Sequence, residues 1–154
     1  MQDSNTFSSW GVDFVKSDSC ATDCGSMAQE VAQFALMRDA LNQTGRRVLF
    51  SLCSVYIENA TFGNMWRIGQ DINSWANVMN AVNCNAALGP RAGPGGFNDP
   101  DMLIGSSEGA TKVLPPVQAR AQFSLWAVMA SPLLLGATSK SSAPGTSRRT
   151  ATPP

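Results

Sequence analysis

The chain has 154 residues, of which 44% are hydrophobic and 14% are charged, and its eleven basic side chains balance eleven acidic ones. This length and apolar content exclude a wholly disordered chain and suffice for one domain with a hydrophobic core. The balanced charge gives no indication of a nucleic-acid partner. Histidine is absent, which excludes Ser-His-Asp and Cys-His catalysis and leaves carboxylates for any acid–base chemistry.

The charges divide the chain into two parts. Residues 139–154, "SKSSAPGTSRRTATPP", are rich in Ser, Thr and Pro and carry three basic groups and no acid. This composition predicts a disordered tail. Residues 1–138 keep eight basic and eleven acidic groups, a net charge of −3. We expect them to form one folded domain.

Several sequence features bear on the location of the protein in the cell and on metal binding. No stretch reaches the ~18–20 consecutive apolar residues of a membrane span, and the first residues lack the pattern of a secretory signal. Two glycosylation sequons, Asn42-Gln43-Thr44 and Asn59-Ala60-Thr61, weakly favour secretion. Four cysteines lack paired CxxC spacing, so a structural zinc site is not expected and any disulfides stay unassigned: Cys20, Cys24, Cys53 and Cys84.

The first half of the chain alternates between strand-like and helix-like segments. Residues 11–17 are apolar and strand-like, and "GSMAQEVAQFALMRDALNQTG" has helical spacing with Gly45 as a stop. "RRVLFSLC" is typical of a strand, and "MWRIGQDI" of a short one. "NSWANVMNAVNCNAAL" follows as a helix, with Gly89-Pro90 as its terminator. The order is β-α-β-loop-β-α.

The second half continues this order. "PGGFNDPDMLIG" is a turn-rich approach to a short strand over 101–104, "PPVQARAQFSLWAVMAS" is a helix that begins at a proline pair, and 132–135 is a buried strand candidate. Repeated βα units predict a parallel sheet covered by helices. A complete (β/α)8 barrel needs ~250 residues, which leaves part of a barrel or a small doubly wound sheet.

Polar residues at the strand ends favour part of a barrel, because catalytic groups of parallel barrels lie at the carboxyl ends of strands. Side chains alternate along a strand, so Phe14, Lys16 and Asp18 share one face. The third strand ends at Asp71, four residues after Arg67. In the second strand the same parity selects Val48, Phe50, Leu52 and finally Ser54.

Four segments in this order, "WGVDFVKSDSC", "RRVLFSLCS", "MWRIGQDI" and "AGPGGFNDPDML", closely resemble the catalytic barrel of glycoside hydrolase family 27, the melibiase-type α-galactosidases and α-N-acetylgalactosaminidases. The resemblance covers roughly residues 9–136. Its most specific part is "PGGFNDPDML", where the family usually has Trp at the place of Phe97. It implies an α/β fold, a partial (β/α)8 TIM barrel with roughly strands 4–8 and their helices.

The resemblance also implies roles for single residues. The family's nucleophile falls on Asp18 and its acid/base on Asp71, while Lys16 and Arg67 match positions that bind sugar hydroxyls. A retaining glycosidase needs two carboxyl groups about 5–5.5 Å apart. We expect Lys16 to support a negative charge on Asp18, and Asp71 to be partly buried. No metal or other cofactor is implied.

Specificity in the family depends on the loop after the fifth barrel strand, where the resemblance places Cys53 and Ser54 as substrate-binding residues. Ser54 favours room for an N-acetyl group, whereas Ile57 would fill that space. Asp101 is implied to lie near the sugar. The resemblance therefore implies release of terminal α-linked galactose, with an α-N-acetylgalactosaminidase, a non-catalytic remnant or a carbohydrate-binding module as alternatives. The expected partner is an α-galactoside oligosaccharide or glycoconjugate, with no nucleic acid and no membrane.

The full-length family is secreted or extracellular, and the resemblance therefore implies a disulfide-bonded glycoprotein.

Simpler explanations exist for the candidate catalytic and binding residues. A strand-end aspartate often caps a helix, Arg67 and Asp71 have the spacing of a structural ion pair, and turn chemistry of Asn98-Asp99-Pro100 accounts for the acidic "NDPD" without a catalytic role.

Overall fold

The computed structural model describes residues 2–18, 26–54, 61–106 and 114–136. The predicted tail over 139–154 and Ile57 lie outside the described residues. The helices are α1 Gln2–Ser9, α2 Met27–Gln43, α3 Trp75–Leu88 and α4 Pro116–Val128; the strands are β1 Phe14–Asp18, β2 Leu49–Cys53, β3 Met65–Arg67 and β4 Phe97–Asp99. A short 3-10 turn over Gly89–Arg91 follows α3.

The four strands form one sheet in the order β1-β2-β3-β4, and each neighbouring pair is parallel. The predicted α/β fold with a parallel sheet is therefore confirmed. One pairing was expected in a different place. The strand predicted over 101–104 contributes only a single parallel bridge, Leu103 to Leu135, whereas the strand beside β3 begins earlier, at Phe97.

The early start of β4 has a physical cause. Asn98 and Asp99 were expected in a turn. Asp99 does accept a hydrogen bond from the nearby Asp101 N–H, but both side chains also contact partners far along the chain. Asn98 accepts a hydrogen bond from Trp66 Nε1 at 2.7 Å, and Asp99 pairs with Lys16 at 3.8 Å. Pro100 then stands just past the strand, where no backbone donor is needed.

The segment 132–135 was expected to be a buried strand, and that expectation is wrong. It makes only the Leu135 bridge, and its three leucines are 47%, 37% and 69% exposed: Leu133, Leu134 and Leu135. The apolar run has the composition of a core strand, but the described part of the protein does not cover it. Composition indicates what a segment can bury, and only its neighbours decide whether it is buried.

Local capping explains the helix boundaries. Ser26 and Ser74 precede α2 and α3, and their side chains accept hydrogen bonds from the backbone N–H groups of Gln29 and Asn77. Gly45 ends the α2 region with a φ of 71°, as predicted. Pro116 opens α4, the position where a missing N–H costs nothing.

Helix α1 was not predicted, because its polar sequence "QDSNTFSS" has no apolar periodicity. The sequence signal for this helix is the glycine at its C-terminal end, Gly11. The N–H of Gly11 donates to Ser8 O, the N–H of Val12 donates to Phe7 O, and Gly11 has a φ of 73°. This is a Schellman cap, and glycine adopts its left-handed conformation without steric cost.

The core consists of two hydrophobic clusters. The first, here the α2 cluster, joins β2 and β3 to the helix α2: Phe34, Leu41, Phe50, Leu52 and Trp66. The second, the α3–α4 cluster, is built around the fully buried Trp126: Ile72, Val78, Ala81, Leu103, Ile104 and Leu114. The α2 cluster shows that Phe50, Leu52 and Trp66 point from the sheet to the helix layer.

The other side of the sheet is called the inner face and follows from the parallel register. It carries Phe14, Lys16, Asp18, Leu49, Ser51, Cys53, Met65, Arg67, Phe97 and Asp99. On a flat sheet the Cα atoms of Lys16 and Asp99 would lie about 16 Å apart. This exceeds what the two side chains and their 3.8 Å contact can span. The sheet is therefore curved toward the inner face.

Candidate functional site

The carboxyl ends of the strands bring chemically active side chains into one row on the inner face. Asp18 is the register partner of Cys53, and Arg67 is the register partner of Asp99. The row therefore runs carboxylate, thiol, guanidinium, carboxylate across four neighbouring strands. Since paired residues of parallel strands point to the same side, these groups face one common space.

Register corrects the face expected for the second strand. Lys16 pairs with Ser51 and Asp18 with Cys53, so Ser51 and Cys53 share the inner face with the candidate catalytic group. Phe50 and Leu52, which were expected there, pack in the α2 cluster. A one-residue difference in alignment moves every side chain of a strand to the opposite face. Ser54 follows Cys53 directly, after the end of the strand.

Arg67 is the central group of the site. Its side chain is buried, and its Nη2 donates to Asp71 Oδ1 at 3.2 Å and to Gly69 O at 3.2 Å. The same nitrogen lies 3.5 Å from Asp101 Oδ2, and Nη1 lies 4.0 Å from Cys53 Sγ. Burial lowers the pKa of Arg67. The Asp101 carboxylate and the other neighbouring groups raise it by more than burial lowers it, so the pKa is above its ordinary value.

Asp71 lies at the mouth of this arrangement. Its side chain is 73% exposed, so the partial burial expected from the sequence is wrong. The physical reason is that Asp71 stands in the loop after β3, four residues beyond Arg67, and Arg67 lies beneath it in the protein. Arg67 thus holds an exposed carboxylate in place from below.

Asp101 holds the same loop from the other side. Its Oδ2 accepts a hydrogen bond from the Ile72 N–H at 2.8 Å, next to Asp71, and its carbonyl accepts one from Trp126 Nε1 at 2.7 Å. Its φ of 87° is unusual for a residue other than glycine. Because four groups contact Asp101, counting Arg67 and Asp99, the surrounding protein stabilises this strained backbone.

Cys53 links Asp18 to Arg67. Burial raises the pKa of the Cys53 thiol, the Arg67 guanidinium opposes this effect, and Asp18 adds to it by its charge and by a side-chain hydrogen bond. The thiol is therefore neutral near pH 7. Asp18 is itself exposed at the end of β1, where its carboxylate can reach a bound molecule.

Six of the seven sequence-predicted site residues are joined by these contacts: Lys16, Asp18, Cys53, Arg67, Asp71 and Asp101. Asp99 was missed, because "NDP" predicts a turn. Its place two residues after Phe97 and two residues before Asp101 was the available signal, because side chains two apart in a strand share one face. The seventh residue, Ser54, is half-buried and directly follows Cys53.

Two further properties concern metals and membranes. Among the described residues, no three His, Cys, Asp or Glu side chains are grouped so that they could hold a metal ion. In the same part of the chain, no helix combines the length and the apolar character needed to cross a lipid bilayer.

Comparison with known proteins relates this site to a family. The family model described as alpha galactosidase A (Melibiase_2) matches residues 1–148. The α-galactosidase 3 of Arabidopsis thaliana is 38% identical over 142 residues, which cover 88% of this chain and 31% of the relative. The α-N-acetylgalactosaminidase of Gallus gallus is 39% identical over 151 residues, covering 87% and 35%. This chain thus spans about a third of the length of these relatives.

Solved structures give the same result. A putative α-galactosidase/melibiase from Bacteroides fragilis has a TM-score of 0.77 at 32% identity, covering 87% of this chain and 32% of that chain. The α-galactosidase of Saccharomyces cerevisiae with raffinose has a TM-score of 0.68 at 28% identity, covering 88% and 36%. By sequence and by fold, the chain belongs to the melibiase-type α-galactosidase family, glycoside hydrolase family 27.

Proposed function

We propose that this chain carries the two catalytic carboxylates of a retaining glycoside hydrolase that releases terminal α-linked galactose. The observation that supports this most is the chain of contacts from Asp18 through Cys53 and Arg67 to Asp71. It links two exposed carboxylates through a thiol and a guanidinium at the carboxyl edge of one parallel sheet. Two carboxylates facing one glycosidic bond are what a double displacement requires.

In this mechanism Asp18 attacks the anomeric carbon and forms a covalent glycosyl-enzyme, while Asp71 protonates the departing glycosidic oxygen. Asp71 then removes a proton from water, which attacks the anomeric carbon and releases Asp18. Two inversions leave the product with the configuration of the substrate. Lys16 and Arg67 donate hydrogen bonds to sugar hydroxyls, and Cys53, Ser54 and Asp101 line the sugar site.

The fold that carries these residues is, in our proposal, part of a (β/α)8 barrel, corresponding roughly to strands 4–8. The curvature of the sheet toward the inner face supports it, because a barrel requires every strand to face a common axis. The parallel bridge between Leu103 and Leu135 supports continuation of the sheet beyond β4. The carboxyl-edge position of Asp18 agrees with the location of active sites in barrels.

The substrate class follows from the relatives. The S. cerevisiae α-galactosidase was solved with raffinose, an α-galactoside, and the A. thaliana relative is named an α-galactosidase. An α-N-acetylgalactosaminidase is the second candidate, favoured by the G. gallus relative and by the small Ser54 after Cys53. A nitrophenyl α-galactoside and a nitrophenyl α-N-acetylgalactosaminide, tested side by side on the same protein, separate the two activities.

The mechanism is tested on Asp18→Ala and its matched control Asp39→Ala, an exposed aspartate on α2. We expect Asp18→Ala to lower hydrolysis of the nitrophenyl α-galactoside by at least about a thousandfold, because no glycosyl-enzyme can form. Azide, which fits the space of the lost carboxylate, restores part of the turnover. Asp39→Ala keeps the parent rate.

Two outcomes contradict the proposal. A parent protein without hydrolysis of either substrate excludes the activity for this chain. An Asp18→Ala protein that keeps more than a tenth of the parent rate, a loss under ~1.4 kcal/mol, excludes Asp18 as the nucleophile. Proton NMR of the sugar, recorded as soon as it is released, checks the stereochemistry of the reaction. We expect the released sugar to have the α configuration of the substrate.

A further inference from the structure

Asp99 is a buried carboxylate that the mechanism above does not use. Only 1% of the residue is exposed. Its Oδ1 accepts a hydrogen bond from the Asp101 N–H at 2.9 Å. Its Oδ2 is buried and accepts no hydrogen bond from the described residues. It lies 3.8 Å from Lys16 Nζ, and the carboxylate also interacts electrostatically with Arg67, its register partner. A buried charge is costly unless it is paired, so the contact with Lys16, together with the Arg67 charge, compensates Asp99.

The path of Lys16 toward this partner is informative. Lys16 lies on β1 and Asp99 on β4, with β2 and β3 between them. The lysine side chain therefore runs across the inner face over the β2 and β3 positions and ends against β4. Asp18 ends β1 and Asp71 follows β3. The stem of the lysine consequently crosses the inner face between β1, which ends at Asp18, and β4, which carries Asp99.

The ion pair with Asp99 leaves part of Lys16 open. The side chain of Asp99 is 2% exposed, while 31% of the lysine side chain stays exposed. The buried carboxylate thus acts as the anchor, and the lysine keeps a surface that a ligand can contact.

We propose that Asp99 is a positioning residue that holds Lys16 across the inner face as the floor of the sugar site, and that it thereby sets affinity for the sugar and leaves bond cleavage to Asp18 and Asp71. The role given to the sugar rests on the proposed function. The placement of Lys16 by Asp99 does not, and it is measured separately.

The first measurement is amine labelling of Lys16. The chain has three lysines, Lys16, Lys112 and Lys140, so mass spectrometry after brief acetylation gives a rate for each. In Asp99→Asn the acceptor for the Asp101 N–H is kept and the charge is lost. We expect Lys16 to react at least threefold faster relative to Lys140, because the freed side chain swings into solvent. The matched control Asp13→Asn, an exposed aspartate before the same strand, leaves the ratio unchanged.

The second measurement separates positioning from loss of structure. For the nitrophenyl α-galactoside, Asp99→Asn should raise KM about tenfold or more and change kcat by less than threefold. A merely structural defect lowers the active fraction, hence kcat, at constant KM. If the parent protein is inactive, the proposed function fails while the labelling ratio still decides the placement of Lys16.

If Asp99→Asn does not fold by circular dichroism, Asp99→Ser, which also keeps an acceptor, takes its place in both measurements. An unchanged Lys16 labelling ratio in a folded variant overturns the proposal, as does a fall in kcat at constant KM. Failure of both variants to fold also overturns it, because Asp99 would then serve the folded core alone.

Discussion

The pKa of the Cys53 thiol depends on its burial and on the charged groups beside it. Its half-buried thiol lies beside the Arg67 guanidinium and the Asp18 carboxylate. Burial and Asp18 both favour the neutral thiol, and Arg67 favours the thiolate, with burial the largest of the three effects. The net result is a pKa above the ordinary value of 9.0, which makes Cys53 a hydrogen-bond donor and a poor nucleophile at neutral pH.

The first prediction concerns the pH dependence of Cys53. The rate of its alkylation by iodoacetamide, followed by mass spectrometry, should rise with a midpoint above pH 9.0 in the folded protein and near 9.0 in urea. Because the folded-state pKa is the higher one, the stabilisation is complete below pH 9.0 and is lost as the pH rises through the folded-state value. The parent protein should therefore lose stability relative to Cys53→Ala in alkaline buffer. A folded-state midpoint below 9.0 contradicts the assignment.

At the scale of elements, the turn before β4 packs closely against Trp66 of β3, because Gly96 in that turn has no side chain. A Cβ added at Gly96 would lie 2.7 Å from Trp66 Cη2, closer than real Cβ contacts. The Trp66 indole is held in place, because its Nε1 donates to Asn98 at 2.7 Å and the ring packs in the α2 cluster. Gly96 is therefore needed for the close approach of the turn to the indole.

We predict that Gly96→Ala lowers the free energy of unfolding by about 1–3 kcal/mol, because the indole and the turn must separate. Gly93→Ala is the matched control in the same loop, since a Cβ there meets no atom within 4 Å. Urea denaturation of both variants measures the difference. Equal losses would show that the indole moves aside without cost.

The start of α3 supplies a second prediction at this scale. Ser74 Oγ accepts from the Asn77 N–H at 3.3 Å and donates to Asn77 Oδ1 at 2.7 Å. Ser74→Ala should cost about 1 kcal/mol of unfolding free energy, because the first turn of the helix loses its side-chain acceptor. Ser124→Ala, at an exposed position inside α4, should change stability by less than about 0.5 kcal/mol. Thermal and urea unfolding that do not separate the two variants would contradict the capping role.

At the scale of the whole molecule, Asn98 connects the two hydrophobic clusters. Its Oδ1 accepts from Trp66, a member of the α2 cluster, and its Nδ2 donates to Asn85 Oδ1 at 3.0 Å and to Leu88 O at 2.9 Å on α3. Helix α3 also supplies Val78 to the α3–α4 cluster. One buried amide therefore joins β3, β4 and α3.

We predict that Asn98→Ala lowers the free energy of unfolding by about 3 kcal/mol, because three buried hydrogen bonds lose a partner and a cavity forms. Asn83→Ala, at an exposed position of α3, is the control and should be near neutral. Urea unfolding is followed by both tryptophan fluorescence and circular dichroism. A loss below about 1 kcal/mol would mean that the clusters pack independently of this amide.

The sequence was sufficient to predict the helices α2, α3 and α4 and to identify the family. These depend on local chemistry. Ser26 and Ser74 cap the helices that follow them, Gly45 ends one, and Pro116 begins another. Each acts within a few residues of its own position, so the signal can be found without knowledge of the rest of the chain. The segments around Lys16, Asp18 and Asp71 also indicated the candidate site.

Tertiary structure alone decided which side chains meet. The inner-face position of Cys53, the strand position of Asn98 and Asp99, and the exposure of Leu135 all differ from expectation or were missed. Each depends on partners far along the chain: Trp66 and Asn98 are 32 residues apart, and Lys16 and Asp99 lie on opposite edges of the sheet. Strand register and burial are properties of the packed sheet, because the same polar residue makes a local turn or a distant contact according to which partner is brought within reach.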